Sequence, residues 1–156
     1  MTFVPGDSAR LEAFSDGVFA FAATLLVVAL EVPSTVLELE QVLIGFVPFT
    51  LSFGALVFIW SVHRAFFRRF PLGDRMTVAL NSCLLFVVLF YVYPLKFLAR
   101  GLATMLFGSG IGGGGGVASF AELGKLFAWY GGGFAAIFLF VALLYVHGAR
   151  RAEEKD

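Results

Sequence analysis

Four apolar stretches, each about the length needed to cross a bilayer, constrain this chain more than anything else in it. A hydrocarbon core needs roughly 20 mostly apolar residues per helical crossing. Such stretches lie at about 9–32, 42–67, 74–99 and 127–149. Composition excludes a soluble alternative. Of 156 residues, 60% are hydrophobic and 14% charged, mean hydropathy is +0.92, and there are 20 Phe. A soluble domain carries about 25% charged residues. The reading is an all-α integral membrane protein, one domain over 1–156, with four transmembrane helices.

Local signals set the expected ends. Asp7 or Ser8 can cap the first helix and Pro33 stops it. Pro48 lies one or two turns inside the second. Pro94, near the end of the third, is expected to bend it or loosen its last turn. The run 108–116 is rich in glycine, five of them consecutive, and reads as a surface loop; "SFAELGKLF" reads as a short interfacial helix. The first helix is no cleaved signal, since an acidic residue stands where the basic region should end.

Lys and Arg give the orientation. An even number of crossings puts both termini on one side. That side then holds Arg10, Arg64, Arg68, Arg69, Arg75, Arg150, Arg151 and Lys155, eight of the eleven bases. Both termini are therefore expected in the cytoplasm and the glycine loop outside. Net charge is zero, which gives no reason to expect nucleic acid.

The first helix carries Arg10, Glu12, Ser15 and Asp16 in its opening turns. A carboxylate inside a membrane is costly and needs partners. Depths can be compared at 1.5 Å per residue. Asp16 lies about 12 Å from Ser8, Asn81 roughly 10 Å from Asp74, and Trp60 and His63 about 6–10 Å before the end of the second helix. Three helices thus bring Ser15, Asp16, Trp60, His63 and Asn81 to one level. They are expected to form a hydrogen-bonded cluster, with Arg10 a further candidate donor. Asp16 reads as an anchor, not a catalyst.

These residues also carry a family resemblance. "RLEAFSDGVFAFAATLLV", with Arg10, Phe14, Ser15 and Asp16, resembles the R-x-x-x-F-S-D opening of the transmembrane-protein-175 family of potassium channels. The Trp60-x-x-His63 pattern and "LNSCLLFVVLFYVYP" resemble its second and third helices, and "YGGGFAAIFLFVALLY" its fourth. The resemblance implies a homotetramer whose first helices line a central pore, closed by an apolar constriction at Phe21, with Thr24 one turn outward and Val28 beyond. It implies potassium permeation in a cytoplasmic membrane, no cofactor and no enzymatic activity. The pore helix would be held by Arg10, Phe14, Ser15, Asp16, Trp60, His63 and Asn81. The family's prokaryotic members usually have six helices, where this chain shows four. A non-conducting membrane scaffold is the alternative.

The first helix agrees by spacing. Phe14, Gly17, Phe21, Thr24 and Val28 share one face, and Ala13, Gly17, Ala20 and Thr24 form a small-residue stripe suited to close helix approach. Other signals are structural. The glycine run precedes no G-K-[ST], and two His and one Cys make no metal site. Cys83 reads as a buried thiol. Tyr91, Tyr93 and Trp129 read as an interfacial belt, and Gly131, Gly132 and Gly133 with Ala135 and Ala136 as a packing face.

Overall fold

In the computed structural model the described residues are 7–28, 34–36, 39–40, 43, 46–107 and 120–154. They form α1 (Asp7–Val28), α2 (Phe46–Arg69), α3 (Arg75–Phe107) and α4 (Phe120–Glu153). The glycine-rich segment 108–116 lies outside the described residues, as does the outer end expected for the first helix.

Among the described residues three segments are long and apolar enough to cross a membrane: Phe46–Arg69, Arg75–Leu95 and Ala128–Glu153. Helix α1 is not among them. Its first ten residues hold Asp7, Arg10, Glu12 and Asp16. Helices α3 and α4 are longer than expected. Pro94 lies within α3, which continues to Phe107. Proline deletes one backbone hydrogen bond, and a membrane-spanning helix re-satisfies the freed groups locally. The segment expected as a separate interfacial helix is the start of α4.

The α2–α3 pair is the spine. Helix α4 packs mainly on α3 and slightly on α2, while α1 packs on α2 and α3 and does not touch α4 among the described residues. The core runs through Phe19, Ala22, Leu26, Leu56, Ile59, Phe66, Leu84, Val88, Ile137 and Leu144. The turn at 70–74 gathers the chain at one end. A Cβ on Gly73 would stand 2.9 Å from Asp7 Cβ, and one on Gly148 would stand 2.7 Å from the Phe70 ring. The start of α1 and the end of α4 therefore meet the same turn.

Three expectations for single residues fail. Cys83 is exposed: its position on α3 faces away from the helices packed on it. Tyr91 is buried, donating its hydroxyl to the Tyr130 carbonyl at 2.6 Å, whereas Tyr93 and Trp129 are exposed. Of the three glycines on α4 only Gly133 is a close-packing site, where a Cβ would stand 2.0 Å from the Tyr91 ring; Gly131 and Gly132 face open space.

Candidate functional site: the two faces of the first helix

Helix α1 is tied to its neighbours by a directional hydrogen-bond chain. Ser15 donates its hydroxyl to the Leu11 carbonyl at 2.8 Å, so Ser15 Oγ is left to accept. Asn81 Nδ2 donates to it at 2.9 Å. That fixes the Asn81 amide with Oδ1 toward His63, whose Nε2 lies 2.7 Å away and must carry the proton. Ser15, His63 and Asn81 are all buried. The imidazole is held between the Phe19 and Phe67 rings, at 5.4 and 5.0 Å between centroids. Its Nδ1 is buried and accepts no hydrogen bond. One polar chain thus joins α1, α2 and α3 across an apolar interior, where unpaired donors are costly.

Asp16 stands outside that chain. It is exposed and accepts a hydrogen bond from Trp60 Nε1 at 2.7 Å. The Arg64 guanidinium lies over the Trp60 ring, 5.4 Å from its centroid. The expected single cluster is therefore two arrangements: a buried Ser15–Asn81–His63 chain and a more open Asp16–Trp60–Arg64 series. A shift of one residue along a helix turns a side chain by about 100°, which separates Ser15 from Asp16. Arg10 and Phe14 join neither. Both are exposed.

The opposite face of α1 is bare. Phe14 is 61% and Phe21 57% exposed. Ala13, Gly17, Ala20 and Thr24 are exposed too, and a Cβ on Gly17 would meet nothing within 4 Å. Thr24 donates its hydroxyl to the Ala20 carbonyl at 3.0 Å. The small-residue stripe is not used for packing within the subunit. The side chain of Val28 lies outside the described set. Between α1 and α2 runs an apolar groove of about 330 Å³, lined by Phe19, Ala20, Ala23, Phe53 and Val57 and closed at one end by Asp16 and Trp60.

A second polar site escaped the sequence reading. Asp74 caps α3, accepting from the Met76 N–H at 3.2 Å and the Thr77 hydroxyl at 2.5 Å. Its Oδ2 also accepts from His147 Nε2 at 2.9 Å. Burial alone would raise the Asp74 carboxyl, but the bonds from Thr77, His147 and the Met76 N–H together hold it below its ordinary value. The cap was legible as Asp before a helix. The His147 partner was not, because 73 residues separate the two.

Among known sequences, the family described as endosomal/lysosomal potassium channel TMEM175 matches residues 10–91, which include α2, most of α1 and the first half of α3. A protein named potassium channel from Marivirga tractuosa is 42% identical over 145 residues, 87% of this chain and 57% of its own. A potassium channel from Chamaesiphon minutus is 34% identical over 60% of this chain and 50% of its own. The chain thus spans about half the length of these curated relatives. The crystal structure of a variant of the potassium channel MtTMEM175 superposes with a TM-score of 0.79 at 40% identity, covering 88% of this chain and 62% of that one. The lysosomal potassium-selective channel TMEM175 homolog from Chamaesiphon minutus gives 0.68 at 29% identity, over 96% and 75%.

Proposed function

Since the chain belongs to the TMEM175 potassium-channel family, we propose that it forms a potassium-permeable, homotetrameric pore in a cytoplasmic membrane, with both termini inside. Four copies of α1 line the axis. Phe21 makes the constriction, Thr24 and Val28 follow outward, and Arg10 and Phe14 stand at the inner mouth. Its partners are potassium ions, membrane lipid and its own copies. No enzymatic step and no cofactor enter this reading.

The observation that carries it is the bare face of α1. In one subunit Phe14, Gly17, Phe21 and Thr24 are exposed, while the reverse face is fixed by apolar contacts and the Ser15–Asn81–His63 chain. A helix held rigidly from behind, with an apolar front that carries small residues, suits close approach around an axis. A ring of four Phe offers no carbonyl or charge to replace an ion's water. The barrier is desolvation in an apolar neck, so width and polarity there set conduction.

The test is bilayer conductance of the purified, reconstituted protein. The parent conducts potassium. Phe21→Ala keeps its oligomeric state, raises conductance severalfold and weakens the preference for potassium over sodium. Phe21→Asn wets the neck with less widening and also raises leak. Absence of current from every form would instead support a non-conducting scaffold, and an intact Phe21→Ala oligomer no more conductive than the parent would remove Phe21 from the constriction.

A further inference from the structure

The basic end of α2 carries a feature the pore reading does not use. Residues 60–75 hold four arginines, Arg64, Arg68, Arg69 and Arg75, and one carboxylate, Asp74. That carboxylate is already engaged by Met76, Thr77 and His147. On the neighbouring end of α4 one arginine is paired. Arg151 pairs with Glu154 at 2.9 Å, and Arg150 has Glu153 one turn on. Arg68 and Arg69 stand exposed, and among the described residues neither makes an ion pair with an acid of any helix. The Arg69 guanidinium lies over the Phe70 ring, 5.6 Å from its centroid. This contact directs the side chain without neutralising it.

The surface above these arginines is apolar. Phe58 lies eleven residues before Arg69, three turns plus about 20°, so the two share one face of α2 about 16 Å apart. Phe58 meets Phe138 of α4 across the α2–α4 seam, 6.4 Å between centroids, and both rings are exposed. Helices α2 and α4 touch little along it. Among the described residues α1 makes no contact with α4, so the seam is clear of the bare α1 face. This face thus ends on the Arg69 guanidinium, with Arg68 beside it, turned about 80° around the helix. Arginine binds phosphate through two parallel N–H donors, and bilayer surfaces attract such clusters when their lipids are anionic.

We propose that the α2–α4 seam binds an anionic phospholipid of the bilayer, with Arg68 and Arg69 holding its phosphate and Phe58 and Phe138 flanking an acyl chain. Charge complementarity selects an anionic headgroup over a zwitterionic one. The arrangement depends on the protein crossing a membrane and not on whether it conducts.

The experiment uses the full chain purified in detergent and mixed with phosphatidylglycerol or phosphatidylcholine. Bound lipid is counted by native mass spectrometry, and melting is followed in parallel. Phosphatidylglycerol stays bound and raises the melting temperature; phosphatidylcholine does neither. Removing one such arginine weakens retention about fivefold, and Arg68→Gln with Arg69→Gln weakens it roughly thirtyfold. Arg151→Gln, whose charge is already paired, leaves retention unchanged. Equal retention of both lipids by the parent overturns the proposal. So does full phosphatidylglycerol retention by the double Gln variant, or displacement by soluble glycerol phosphate at equal concentration, which would make the ligand a soluble phosphate. Should the double Gln variant not fold, Arg68→Lys with Arg69→Lys keeps the charge and loses the fork. It weakens retention severalfold, and unchanged retention overturns the phosphate contact.

Discussion

Ser15 and Phe21 lie less than two turns apart on α1, yet Ser15 is wholly buried and Phe21 is 57% exposed. The comparison between these two faces explains why the helix is built as it is. The buried face, Ser15, Phe19, Ala22 and Leu26, spends its side chains on α2 and α3. The bare face, Phe14, Gly17, Phe21 and Thr24, is left exposed in the subunit. Similar residue types occur on both, so apolarity alone does not tell them apart. What distinguishes the buried face is one serine placed to accept from Asn81. A single polar tether inside lipid-like surroundings sets the rotation of the whole helix, because a turn of 100° would leave the Asn81 Nδ2 donor without its Ser15 acceptor.

Substitutions on the two faces should therefore behave differently. Leu26→Ala is expected to have the largest effect. Leu26 is fully buried, and the deletion opens a cavity costing about 2–5 kcal/mol; melting of the purified protein near the parental temperature would place Leu26 on a yielding surface. Asn81→Ala comes next. It orphans His63 Nε2–H, costing about 1–3 kcal/mol. Asn81→Asp restores an acceptor for His63 while removing the donor to Ser15, so its melting temperature should fall between those of Asn81→Ala and the parent. If both variants melt with the parent, the polar chain does not hold α1. Trp60→Phe should have the smallest effect, since its bond to Asp16 is exposed. About 0.5–1.5 kcal/mol is expected, and a loss as large as that of Asn81→Ala would mean that Asp16 and Ser15 belong to one network after all. On the bare face, Phe21→Ala should leave subunit melting unchanged while altering conductance, which is the sharpest contrast between the two.

Much of this was legible because membrane-spanning helices advertise themselves. Apolar length gave α2, α3 and α4, and depth counting brought Ser15, Asp16, Trp60, His63 and Asn81 to one level before any coordinates. Depth says nothing about rotation, so it merged Asp16 with Ser15. Rotation also decided Cys83 and Tyr91, each of which sits in an apolar run that reads the same on every side. In lipid both buried and exposed faces are apolar, and the periodicity that marks a core face in water is absent. Gly133 differs from Gly131 and Gly132 only in facing Tyr91. The Asp74–His147 bond joins points 73 residues apart, with no local pattern to link them.

The short turn at 70–74 has a bearing on how the chain assembles. Residues on either side of it are close in sequence, so the α2–α3 hairpin closes at little entropic cost. Helix α1 then reaches that hairpin through Gly73 and the serine tether, and α4 reaches it through Gly148 and His147. Because α1 and α4 do not touch among the described residues, neither has to wait for the other. Folding of the subunit is expected to branch, with two docking steps onto one hairpin in either order, so that a variant damaged on one flank should still seat the other.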